Sequence, residues 1–183
     1  FLLKKSSFRI SKISDKDFCK FSLCPKDYKF LPTNDVAYPL EKFIINDYKG
    51  SEIGSSNYMQ NSNYRFLKTV NATQNFVYDQ STIEFCKPSN AILPNDGDIL
   101  IVKDGAGNGL GEVALYIKNN KYVDYISAGL IGISLKEDVK WYILSLLKSQ
   151  HFKDFINVNT AQGSTIRHSK LVALKYKVPF PSK

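Results

Sequence analysis

The segment Asp98-Ile99-Leu100-Ile101-Val102-Lys103 does most to limit what this chain can fold into. A nearly continuous apolar run of this kind suits a strand covered on both faces. It is preceded by a turn sequence, Leu93-Pro94-Asn95-Asp96-Gly97, and followed by a glycine cluster, Gly105-Ala106-Gly107-Asn108-Gly109-Leu110-Gly111. A glycine cluster after a strand invites a nucleotide-binding reading, which the residues reject. Counted from Gly105, the third glycine of the dinucleotide fingerprint falls on Leu110, and Glu112–Ile117 is strand-like where a helix should open on the pyrophosphate. No Lys stands where a phosphate-binding P-loop requires one.

Other elements follow from periodicity and turn chemistry. Asp15–Phe21 suits a short helix capped by Ser14. Leu40–Asn46, Tyr64–Val70 and Phe76–Tyr78 have strand character, and Lys49–Asn63, rich in Gly, Ser and Asn, reads as a loop. Val113–Ile117 and Tyr122–Ile126 flank Asn119-Asn120, a pair that tolerates positive φ, and are expected to form a β-hairpin. Val139, Tyr142, Ile143, Leu146 and Leu147 recur at helical spacing, so a helix is expected over Asp138–Ser149. Phe152, Phe155 and Ile156 continue that spacing after a kink, and Gly163 is available to end the helix. Leu171–Val178 alternates apolar and basic residues as a half-exposed strand does, with Pro179 and Pro181 ending it.

The 183 residues fit one domain, and 43% hydrophobic content is ordinary for a globular protein. No apolar run approaches the roughly 18 residues of a membrane span, and a cytoplasmic location is expected. The formal charge of +8 favours polyanionic partners such as nucleic acid, although charge alone fits a solvated basic surface equally well. Cys19, Cys24 and Cys86, with only His151 and His168 besides them, form no common zinc pattern and are expected to be reduced thiols. The chain opens on Phe1 rather than Met and reads as an excised piece.

Catalytic patterns are missing from the sequence. No Asn or Asp is followed by two prolines and an aromatic, as an amino-methyltransferase requires, and no Glu is followed two residues later by Lys, as metal-dependent nucleases often show. Asp96, Asp98 and Asp104 read as turn and cap residues. His151 lies beside the helical stripe and His168 in a basic loop, which gives no sequence pointer to a triad. Neither catalysis, a metal nor a cofactor is expected.

Three blocks carry a resemblance: Tyr64-Arg65-Phe66-Leu67-Lys68-Thr69-Val70-Asn71; Leu93–Leu100 with Lys103-Asp104-Gly105; and Gln162-Gly163-Ser164-Thr165-Ile166 through Leu171 and Leu174 to Val178-Pro179-Phe180-Pro181. In that order they resemble the target recognition domains of type I restriction-modification specificity subunits and of the related fused methyltransferase-nucleases. The match is strongest from about Pro39 to Pro181, so residues 1–38 are read as an extension or the start of the domain and 39–183 as the recognition domain. The family continues into a long spacer helix and commonly a second recognition domain, and neither is expected within these residues.

The resemblance implies an α/β (α+β) domain, a twisted and mostly antiparallel sheet with packed helices and DNA-contacting loops at one end. It implies recognition of a short element of double-stranded DNA, with a methyltransferase subunit or domain, and through it a restriction subunit, supplying the chemistry. The residues of the three blocks suit that role. Arg65, Lys68, Lys103 and Arg167 are candidates for phosphate or base contact, and Asn71, Asn108, Gln162, Ser164 and Thr165 for base readout, because a carboxamide offers the donor and acceptor that distinguish adenine. Three other readings stay open: a single-chain methyltransferase-nuclease parent, an enzyme whose site is assembled in space without a sequence pattern, and a protein-protein interaction module.

Overall fold

The computed structural model describes residues 36–72, 83–105, 109–160 and 167–180. The central apolar run forms strand β6 (Ile99–Val102), buried along its whole length. The alternation of the pleat explains why it carries no polar residue: Ile99 and Ile101 enter one core and Leu100 and Val102 another on the opposite face. Around it, β2 (Ile44–Lys49), β10 (Leu130–Leu135) and β8 (Val113–Leu115) complete an antiparallel sheet in the order β2-β10-β6-β8.

Three helices cover the first face of this sheet. α1 (Lys140–Leu147) and α2 (Gln150–Asn159) are separated where Ser149 caps α2, its hydroxyl accepting the Phe152 N–H at 3.3 Å. α3 (Lys170–Leu174) follows later in the chain. Ile143, Leu144, Leu147, Phe152, Ile156 and Ala173 from these helices pack against Ile99, Ile101, Ile131 and Ile133 of the sheet.

The second face packs on another sheet, ordered β3 (Tyr58–Met59), β5 (Glu84–Cys86), β4 (Tyr64–Leu67), β9 (Val123–Ile126). Leu67 and Ile126 turn inward to meet Leu100, Val102, Ala114 and Leu130, while Phe66 and Tyr125 turn outward into a third cluster with Ile53 and Cys86. Two short pairs complete the fold: β1 (Val36–Pro39) with β12 (Lys177–Phe180), and β7 (Asp104–Gly105) with β11 (Arg167–His168), both antiparallel. Among the described residues every strand pair is antiparallel except β4 with β9. The expected α+β domain with a mostly antiparallel sheet is therefore the fold observed. Among the described residues no helix is long and apolar enough to cross a membrane.

Asp98 ties the first sheet to its turn. Its buried carboxylate accepts the Asn95 N–H at 2.8 Å, the Ser134 hydroxyl at 2.6 Å and the Tyr48 hydroxyl. Burial, then the bond to Asp98, pushes the Tyr48 phenol well above the usual tyrosine range, so it stays a donor. Gly97 adopts φ 79, the left-handed conformation its turn requires. Asp96 Oδ1 accepts the Lys118 N–H at 2.8 Å. Both aspartates are turn and scaffold groups, as their sequence context indicates.

Several expectations are corrected. Asn119 does make a local turn, its side chain accepting the Lys121 N–H at 2.8 Å, but β8 and β9 on either side do not form a hairpin. They diverge into different sheets, β8 beside β6 and β9 parallel to β4. Leu171–Val178 is not one strand either. It divides between α3 and β12, and Pro179 lies inside β12 opposite Ala37 instead of ending it. Leu40–Phe43 is a 3-10 turn, so the strand expected at Leu40 starts at Ile44. The 49–63 loop contains a 3-10 turn (Ser55–Asn57) and the short β3. Asp15–Phe21 and Phe76–Tyr78 lie outside the described residues.

Candidate nucleic-acid interface

The three sequence blocks are distant along the chain but are linked in space: the first two bond to Ser127–Gly129, and the third bonds to the second at Lys103–Gly105. From the first block, the Leu67 carbonyl accepts the Ser127 N–H at 2.9 Å. From the second, the Lys103 and Asp104 N–H groups both donate to the Gly129 carbonyl, at 2.9 and 3.2 Å. From the third, the Ser169 N–H donates to the Lys103 carbonyl at 2.8 Å, and Arg167 and His168 pair in register with Gly105 and Asp104. A Cβ built on Gly129 would stand 2.6 Å from Thr69 Cγ2 and 3.6 Å from the Asp104 carbonyl oxygen, so only glycine lets the first two blocks close on each other. Ser127–Gly129 offers no charged or carboxamide side chain, which is why the sequence reading passed over it.

The expected site residues fall into three sets. Arg65, Asn71 and Lys103 are buried with partners inside the fold. Arg65 holds Asp124 through two bonds of 2.7 and 2.8 Å, and Asn71 Oδ1 accepts the Lys68 N–H at 2.7 Å to close the turn after β4. The Lys103 ammonium bonds the Asp104 carboxylate. Lys68 is half-buried, its ammonium 3.1 Å from Glu84 Oε1 and over the Tyr58 ring, and Arg167 takes its place in β11. Asn108, Gln162, Ser164 and Thr165 lie outside the described residues.

One pairing was not legible in the sequence. His168 exposes 74% of its side chain, with Nδ1 2.6 Å from Asp104 Oδ1, so Asp104 sits between a buried Lys and an exposed His. Burial alone would raise the Asp104 carboxyl, but the bonds and charges of Lys103 and His168 outweigh it and hold the group below the usual carboxylate range. A carboxyl lowered in the folded state stabilises the fold above about pH 4, and that contribution is lost as pH falls through the folded value. Asp104→Asn should therefore flatten the acid limb of the unfolding free energy plotted against pH. An unchanged acid limb would show that the carboxylate contributes nothing there.

The other histidine is structural, its Nδ1 standing 2.9 Å from the Tyr176 hydroxyl. Among the described residues no group of three or more His, Cys, Asp and Glu is placed to hold a metal ion. The site is thus a set of strand ends and turns gathered by backbone bonds, on a chain of net charge +8.

A helix-backed antiparallel sheet stacked on a mixed one, with polar segments gathered at one end, is the α+β architecture that the resemblance to target recognition domains implies. Solved structures bear out that fold. The chain is similar to the HsdS subunit from Thermoanaerobacter tengcongensis, with a TM-score of 0.55 and 16% identity over 82% of this chain and 34% of that one. It is similar to the type I restriction-modification S subunit from M. genitalium, with a TM-score of 0.52 and 15% identity over 82% of this chain and 36% of that one. A third match is a structure describing complex assembly and conformational transition of the type I R-M system, with a TM-score of 0.56 and 16% identity over 90% of this chain and 38% of its counterpart. The chain spans little more than a third of the length of these proteins. No family model matches it, and no curated protein does.

Proposed function

We propose that this chain recognises a short element of double-stranded DNA, as one target recognition domain of a type I restriction-modification specificity subunit. The observation that carries the reading is the linking of the three blocks, two at Ser127–Gly129 and the third at Lys103–Gly105, in a basic chain whose fold is shared with HsdS subunits. In this reading the chain acts in the cytoplasm and does no chemistry. A methyltransferase subunit or domain transfers the methyl group, and a restriction subunit recruited through it cleaves.

The division of labour follows from burial for Arg65, Asn71 and Lys103, and from side-chain chemistry for the rest. Arg65, Asn71 and Lys103, already committed within the fold, position the interface and do not touch DNA. Lys68 and Arg167 contact phosphates, which fix register without carrying sequence information. Asn108, Gln162, Ser164 and Thr165 read base edges, the carboxamides being suited to adenine.

Selection of bound sequences from a random duplex pool, with the intact parent protein, tests the reading. One short motif of half-site size should be enriched. Affinity should fall with salt, with a log–log slope of about 0.9 per phosphate neutralised. Enrichment of no motif, or an affinity indifferent to salt, would defeat the proposal.

A further inference from the structure

The turn that leaves β4 holds its carboxamide inside the fold and its ammonium at the surface. Asn71 is buried and bonded to the Lys68 N–H, the Lys68 ammonium is engaged by Glu84, and the Thr69 methyl is packed against Gly129. Val70, with 62% of its surface exposed, is the residue this turn presents to solvent. A lone exposed valine is unremarkable by itself. What distinguishes this one is its mounting: a 3-10 turn (Thr69–Asn71) pinned by two bonds, the Lys68 N–H donating to Asn71 Oδ1 at 2.7 Å and the Asn71 N–H to the Lys68 carbonyl at 2.9 Å, beside the backbone junction at Ser127–Gly129. A β-branched side chain is stiff about χ1, so a contact there costs little rotamer entropy.

Resting on the DNA-recognition reading above, we propose that Val70 is a specificity-determining residue that packs on the C5 methyl of a thymine in the major groove. Thymine is the base that presents an apolar group on that edge, and an apolar side chain is its matching reader. The carboxamides and cations of the neighbouring segments do not supply this chemistry. Val70 adds a kind of recognition that the carboxamide and cationic candidates lack.

The test uses the intact parent protein and the duplex that emerges from selection. Each thymidine is replaced in turn by deoxyuridine, which deletes the methyl group and keeps the pairing edge. One replacement should lower wild-type affinity about 3- to 5-fold, the worth of roughly one buried methyl group. Val70→Ala should lose a similar factor on the thymidine duplex and no longer discriminate deoxyuridine at that position, while Val70→Ile keeps the discrimination. Because the side chain is exposed, unfolding curves of both variants should superimpose on the wild type.

A wild-type protein indifferent to deoxyuridine at every position overturns the inference. So does a Val70→Ala variant that keeps the wild-type ratio, or one that loses affinity equally for both duplexes, as a wedge between bases would. In each of those cases a selected motif still stands and the DNA reading survives. Absence of any motif removes both.

Discussion

Asp124→Ala is expected to destabilise the fold by about 3–5 kcal/mol, the range for leaving one partner of a buried ion pair uncompensated. The Asp124 side chain is fully buried, and it accepts Arg65 Nε at 2.7 Å, Arg65 Nη2 at 2.8 Å and the Tyr116 hydroxyl at 3.0 Å. Its loss removes both Arg65 bonds from a guanidinium that is 5% exposed and has the Tyr122 ring 4.4 Å from its centre. Arg65 and Asp124 are also register partners in the parallel pair of β4 and β9. The pair thus links the strand that carries the first block to the strand that runs into Ser127–Gly129. Urea unfolding of wild type, Asp124→Ala and the apolar double replacement Arg65→Met with Asp124→Leu measures the effect. The double variant should recover much of the loss, since apolar groups of similar size need no partner. A loss below about 1 kcal/mol for Asp124→Ala would place the pair among surface-like ion pairs.

Local patterns were legible where burial and periodicity agree. The β6 run was readable because both faces of that strand enter cores. The break before Phe152 lies where Ser149, expected to end the first helix, caps a second one. In 171–178 the signal is double. Ala173 and Tyr176 are buried three apart, as on a helix, while Tyr176 and Val178 are buried two apart, as on a strand. No single period describes that segment, and alternation was the simpler reading of it.

Long-range pairing was not legible. The turn at Asn119 has the chemistry of a hairpin, yet β9 gains an ion pair with β4 that β8 cannot offer it. Nothing near Tyr122–Ile126 in sequence announces a partner almost sixty positions away. The same holds for the site. Arg65 and Lys103 read as surface cations because Asp124 and Asp104 can be recognised as their partners only once the chain has folded. Residue type located the three blocks, while burial decides which of their side chains face solvent.

Gly50→Ala should cost about 3 kcal/mol or more, at or beyond the upper end for overpacking a core. A Cβ at Gly50 would lie 2.1 Å from the Ser127 carbonyl oxygen, 2.5 Å from that of Ile126 and 2.5 Å from the Ser127 carbonyl carbon. All three are backbone atoms, so no rotamer change relieves the clash. Gly54 makes a useful control. It adopts φ 70 and ψ 140, a backbone conformation that favours glycine, but the nearest atom to a Cβ there is 3.9 Å away, so Gly54→Ala pays for backbone strain, roughly 1–3 kcal/mol, and displaces nothing. Position matters as much as magnitude. Gly50 donates to the Leu130 carbonyl at 3.2 Å and Ser51 to the Ile126 carbonyl at 3.0 Å, so the end of β2 is laced to both sides of the 127–129 turn. Relief of the clash must move that turn, and with it the carbonyl of Gly129 on which Lys103 and Asp104 hang. In the intact parent protein, Gly50→Ala should therefore weaken binding to the selected duplex more than Gly54→Ala does, even under conditions where both variants remain folded. Equal binding by two folded variants would mean that the turn is not the support on which the interface is built.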